Sequence, residues 1–196
     1  MNGVMRLQLL VVFGVFAISL SACGLLRDED LESFEALIDL VERGEAVLEG
    51  EMESWSPSRD DFLSCLSRKI VPSDFCEFER VDLEMSFDTA LRRYDFSGLK
   101  AELQALRLVD NAEASRARDA FVQHLRAWRD HISNLRYSMP SSSEVYWMDY
   151  SFAQKWKQFD DNPIQRTFDE TCSGLGNAQP KNSSEFESRI IDICDD

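Results

Sequence analysis

Apolar residues recur at three- and four-residue steps along most of the chain, which is the spacing of one face of an α-helix. Leu31, Phe34, Ile38, Val41, Leu48, Met52 and Trp55 form the first such stripe. Glu45 interrupts it beside Gly44, which predicts a kink or break, and Pro57 predicts a stop before it. Ser58 and Asp61 have the spacing of a capping box, with the shorter Asp in place of Glu. They would open a short helix holding Phe62, Cys65 and Leu66, ended by Pro72. Residues 73–95 are less regular. Val81, Leu83 and Met85 alternate as in a strand, but Leu83, Phe87, Ala90, Leu91 and Tyr94 fit a helix better. Leu99, Leu103 and Leu106 mark the next one.

The best-defined element covers about Asn111 to Tyr137, with Asp110 and Glu113 as its capping box. Phe121, Leu125, Trp128, Ile132, Leu135 and Met139 step by four and three without a miss, the seam of a helix packed lengthwise on its neighbours. Pro140 and Ser141 to Ser143 break it, and a helix from Ser143 to Phe159 follows, with Val145, Met148, Phe152, Trp156 and Phe159 on one face. Asn162 and Pro163 start another, which carries Ile164, Phe168 and Cys172 and stops at Gly174 or Gly176. After a polar loop, Asn177 to Ser183, a last helix holds Phe186, Ile190 and Cys194. No internal repeat is evident. The pattern predicts an all-α, single-domain bundle of five to seven helices.

The start of the chain follows a different pattern. Arg6 is the only side-chain charge before an apolar run from Leu9 to Ile18, broken only by Gly14, and Leu20-Ser21-Ala22-Cys23 follows. A basic start, a short apolar stretch and small residues before a cut site make a secretory signal. The four residues Leu20 to Cys23 resemble, at every position, the lipobox of bacterial lipoproteins. The resemblance covers the leader alone. It implies that the Cys23 sulfur receives a diacylglyceryl group and that residues 1–22 are removed. Residues 23–30 then form a short acylated tether ahead of a helical domain over 31–196. Gly24, with no aspartate beside the cysteine, implies the outer membrane, facing the periplasm, in a host that has one, and otherwise the outer face of the cell membrane. Two acyl chains hold firmly where one is marginal, at about 0.8 kcal/mol per buried methylene. An uncleaved transmembrane helix over Leu7–Leu26 and a plain signal cut near Ala22 are the alternatives, and neither accounts for a cysteine at that place.

Charge narrows the partners. The chain carries a net −15, and loss of Arg6 with the leader takes this to −16. Such a domain repels nucleic-acid phosphates and anionic lipid alike, so no nucleic acid is expected as a partner, and membrane contact is expected through the lipid on Cys23. Cys65, Cys76, Cys172 and Cys194 remain as an even set in an exported chain, which favours disulfides. Local pairing, Cys65 with Cys76 and Cys172 with Cys194, is preferred over the two other connectivities, each loop contributing about 3 kcal/mol in the chain-entropy treatment. A zinc site lacks any Cys-x-x-Cys pair, and free thiols are the other alternative.

No catalytic constellation stands out, and no cofactor or metal is expected. His124 and His131 lie seven apart on nearly one helical face, each just before a seam residue, and are expected half-exposed at the edge of the core. They match neither the zinc-protease nor the di-iron pattern. Asp28-Glu29-Asp30, Asp60-Asp61 and Asp160-Asp161 lack EF-hand spacing and read as helix-start acids. Cys172 to Gly176 is neither a nucleophile elbow nor a phosphate loop. The surplus lies in Tyr146, Trp147 and Tyr150, which point away from the apolar face of their helix, with Lys155 and Lys157 nearby. They form a candidate contact surface for an envelope protein partner or a glycan, or else a second packing contact. The expected role is a non-enzymatic envelope lipoprotein, binding or accessory. A carrier with a pocket in the bundle and a periplasmic enzyme are the rivals. A cleft joining a histidine to buried carboxylates would favour the enzyme, and a deep apolar cavity the carrier.

Overall fold

The seam residues Phe34, Val41, Leu48, Trp55 and Phe62 repeat every seven positions, and all five are buried. In the computed structural model they lie on one helix. The structure describes residues 4–68, 75–108, 111–147, 162–179 and 184–195, with side chains from Asp30 onward. Its helices are α1 (Val4–Arg68), α2 (Phe75–Arg93), α3 (Ser97–Ala105), α4 (Ala112–Tyr137), α5 (Ser142–Trp147), α6 (Asn162–Ala178) and α7 (Ser184–Cys194). Among the described residues there is no strand. From Asp30 on, no helix is long and apolar enough to cross a membrane.

The expected break at Gly44 and stop before Pro57 do not occur, for α1 runs through both. A mid-helix proline removes one backbone hydrogen bond and crowds the carbonyl four residues back, at about 3 kcal/mol. Burial of Trp55 and Phe62 on either side of it offsets that cost, and the chain stays helical through Pro57. Ser58 caps nothing; its hydroxyl donates to Asp82 Oδ2 on α2 at 2.6 Å. Gly44 is a packing site: a Cβ there would lie 2.5 Å from Phe121 Cζ.

Helix α2 settles the irregular stretch. Leu83, Phe87, Ala90 and Tyr94 are buried, whereas Val81 and Met85 face solvent, so the strand-like alternation is incidental. Cys65–Cys76 ties the end of α1 to the start of α2. Arg136 of α4 reaches Asp88 and Glu84 of α2, and Ser142 of α5 donates to Glu77. Arg80 holds the Glu77 carboxyl below its ordinary value of 4.5 by donating to it, with Ser142 adding to the effect. A depressed carboxyl stabilises the fold above that value and loses its contribution on acidification. Glu77→Gln is therefore expected to destabilise slightly at neutral pH, with the difference from the parent shrinking as the pH is lowered past 4.5, as read from urea midpoints along a pH series.

The α4–α6 and α1–α2 pairings are the most extensive in the bundle. Small residues make the first possible. Ala114 and Ala117 of α4 are fully buried, and Gly174 of α6 lies directly on the Ala117 backbone. Helix α6 therefore continues past both glycines to Ala178 instead of ending at one of them. The start of α4 also differs from expectation. Its N-cap is Asn111, whose side-chain oxygen accepts from the Ala114 amide at 2.9 Å, and not Asp110. Asn111 Nδ2 also donates to the Ala178 carbonyl. Asn111→Ala is expected to cost about 1 kcal/mol, and Asn111→Asp to recover most of it, in thermal unfolding.

Helix α7 is held back on the bundle by Cys172–Cys194, the second expected pairing. Phe186 sets its ring edge-on to Phe34 at 5.5 Å. Arg189 clamps Asp39 and Glu42 of α1, and its guanidinium is held in the charged state by both carboxylates. One contiguous apolar cluster runs through residues of α1, α2, α4, α6 and α7.

Candidate functional site

A cleft of about 780 Å³ opens where α1, α4, α6 and α7 meet. Helix α1 contributes Glu42, Glu45, Ala46, Glu49 and Met52, which the helical repeat places on one face beside the buried seam. Helix α4 adds His124 and Trp128, α6 adds Ile164 and Phe168, and α7 adds Asp192 and Ile193. The volume lies in the range of small-molecule sites, and mixed apolar walls with a few convergent polar groups are the usual composition of such sites.

His124 is the polar centre of this wall. The sequence placed it half-exposed at the core's edge, but the residue is only 2% exposed. The ring is stacked on Phe121 at 5.9 Å and tilted against Phe168 at 5.3 Å. Nδ1 lies 3.2 Å from both the Ile164 carbonyl oxygen and Thr167 Oγ1. The Ile164 contact is a hydrogen bond in the tautomer that carries its proton on Nδ1. Nε2 then faces Glu45 Oε1 at 3.4 Å, out of line for a hydrogen bond, and both atoms are buried.

Thr167, His124 and Glu45 share the outline of a nucleophile–base–acid triad, but the hydroxyl is misplaced for that role. Thr167 is 4% exposed, does not line the cleft, and has its hydroxyl turned to the Pro163 and Ile164 carbonyls at 2.9 Å. What the arrangement offers is a fixed imidazole beside a carboxylate at the wall of an open, largely apolar recess.

The remaining candidates do not join it. His131 is half-buried, edge-on to Trp128 at 5.9 Å, and does not line the cleft, so the two histidines share no site. Tyr146 and Trp147 are α5 positions whose side chains lie outside the described residues, as do Tyr150, Lys155 and Lys157 entirely. Cys23 falls within the α1 span, its side chain likewise outside them. Asp60 pairs with Arg59, and Cys172 to Gly176 is continuous helix. Among the described residues no group of three or more metal-binding side chains gathers.

One signal for this site is present in the sequence. Glu45 is the sole interruption of the first stripe, and His124 stands beside the seam of the best-defined helix. Two polar residues at two helix faces destined for burial satisfy each other most simply by meeting. Comparison with known proteins adds no relative: no family model, no curated protein and no solved structure matches the chain.

Proposed function

We propose that this protein is a lipid-anchored, non-enzymatic binding protein of the cell envelope, and that the cleft on Glu45 and His124 is its binding site. The lipobox resemblance at Leu20 to Cys23 supports the anchor. The observation that carries the binding role is a buried, aromatic-sandwiched imidazole facing a carboxylate at the wall of an open recess of about 780 Å³. Burying an unmatched polar atom costs about 1–3 kcal/mol, and at the wall of an open recess a ligand or water can offset that cost. Among the roles open to an envelope lipoprotein, this geometry favours the carrier over a purely structural part. A protein partner at Tyr146, Trp147, Tyr150 and Lys157 is compatible with it.

The test is native mass spectrometry of the protein taken from membranes. A small molecule bound one per chain, and lost in Ala46→Trp, which fills the cleft, is the expected result. Ligand-free protein, with cross-linking on intact cells recovering one stoichiometric envelope protein, would turn the reading to an accessory component. General acid–base catalysis is the second reading, and the Glu45–His124 contact is what favours it. It requires that His124→Gln abolish turnover of a ligand that the variant still binds.

A further inference from the structure

We infer that the cleft takes an organic cation with an apolar body, an ammonium or amidinium group carried on a hydrocarbon or aromatic frame. The inference rests on the binding role proposed above and adds the chemistry of the ligand. Among the described residues four carboxylates line the recess, and no lysine or arginine does. One of the four already has a cationic neighbour. Glu42 is bonded by Arg189 at 2.7 and 2.8 Å, and Glu45 faces His124. Glu49 and Asp192 make no ion pair with any described residue. They stand on α1 and α7, the two helices that Arg189 and Phe186 draw together. An anion entering here would meet uncompensated negative charge, and a neutral apolar molecule would strip water from carboxylates and return nothing.

The other walls complete the match. Trp128 and Phe168 present aromatic rings, which attract a cation through their electron-rich faces. Leu48, Met52, Ile164 and Ile193 supply the apolar surface for the frame. His124, almost wholly buried, stands at the wall of the same recess, and its Nε2 makes no hydrogen bond with any described residue. A bare metal ion is a poor occupant, because no three metal-binding side chains gather among the described residues.

A set of probes on one phenylalkyl frame varies the charge of the head group: 3-phenylpropyltrimethylammonium, 3-phenylpropanol and 3-phenylpropionate. Each is titrated calorimetrically into the full-length protein in nanodiscs, against empty nanodiscs. The ammonium is expected to bind one per chain, about tenfold or more tighter than either analogue, with the preference shrinking as salt is raised. Glu49→Gln with Asp192→Asn is expected to reduce that preference about tenfold, and Ala46→Trp to block all three probes. Equal binding of the three probes, blocked by Ala46→Trp, leaves the cleft as a binding site and overturns the cationic ligand. Binding that survives Ala46→Trp overturns both. Absence of binding by every probe overturns the cationic assignment, and ligand-free protein from membranes then removes the carrier reading as well.

Discussion

Gly174→Ala is expected to destabilise the domain by about 2 kcal/mol, while Gly176→Ala, two residues along the same helix, stabilises it by about 0.5–1 kcal/mol. A Cβ on Gly174 would lie 2.8 Å from Ala117 Cβ and 2.9 Å from its Cα and its amide nitrogen. Two of those three atoms are backbone, so no side chain can rotate away. Helix α6 would have to lift from α4 along their whole crossing, loosening Leu175 and Ala178 on one side and Ala114 and Phe121 on the other. Overpacking of this kind costs about 1–3 kcal/mol, against a helical gain of about 0.5–1 kcal/mol from replacing glycine. At Gly176 nothing lies within 4 Å of the added methyl, so only the gain remains. Paired thermal or urea unfolding of the oxidised protein reads both signs. Shifts of the same sign in the two variants would mean that α4 and α6 do not cross at Ala117 and Gly174.

That pair of glycines marks the limit of what is legible in the sequence. Periodicity identifies the helices because burial is periodic: Phe121, Leu125, Ile132 and Leu135 can be read from spacing alone, and all are buried. The even set of Cys65, Cys76, Cys172 and Cys194 likewise anticipates both disulfides. Glycine and proline mislead at Gly44, Pro57 and Gly174. Their local preference is to break helices, but the outcome at each depends on packing that local preference does not reveal. Phe121 needs the space at Gly44, Ala117 needs it at Gly174, and the burial of Trp55 and Phe62 overrides Pro57. The site is hidden for the same reason. Glu45 breaks one stripe and His124 borders another, and only the packing of α1 on α4 shows that they face one another. At α4 the cap is readable to within one residue, Asn111 in place of Asp110, whereas the capping-box spacing of Ser58 and Asp61 falls inside α1 and caps nothing.

Cys23→Ser is expected to abolish lipid attachment and cleavage at the 22–23 bond together, because in bacterial lipoproteins, which the leader resembles, the cut follows acylation of the cysteine. Radiolabelled fatty acid should enter the parent and not the variant, and intact mass should show the variant still carrying residues 1–22. The retained leader can itself hold the variant to membranes through its apolar run, so fractionation of this variant alone is not decisive. A second chain removes that ambiguity: it keeps Cys23→Ser and has an ordinary cleavable signal in place of residues 1–22. Its acidic domain is repelled by anionic headgroups. The two acyl chains that would hold the parent, at about 0.8 kcal/mol per buried methylene, are gone. This second chain is expected in the soluble envelope fraction, with the parent wholly in membranes. A Cys23→Ser protein still clipped at the same bond would overturn the lipid anchor, as would a re-targeted domain that sediments with membranes.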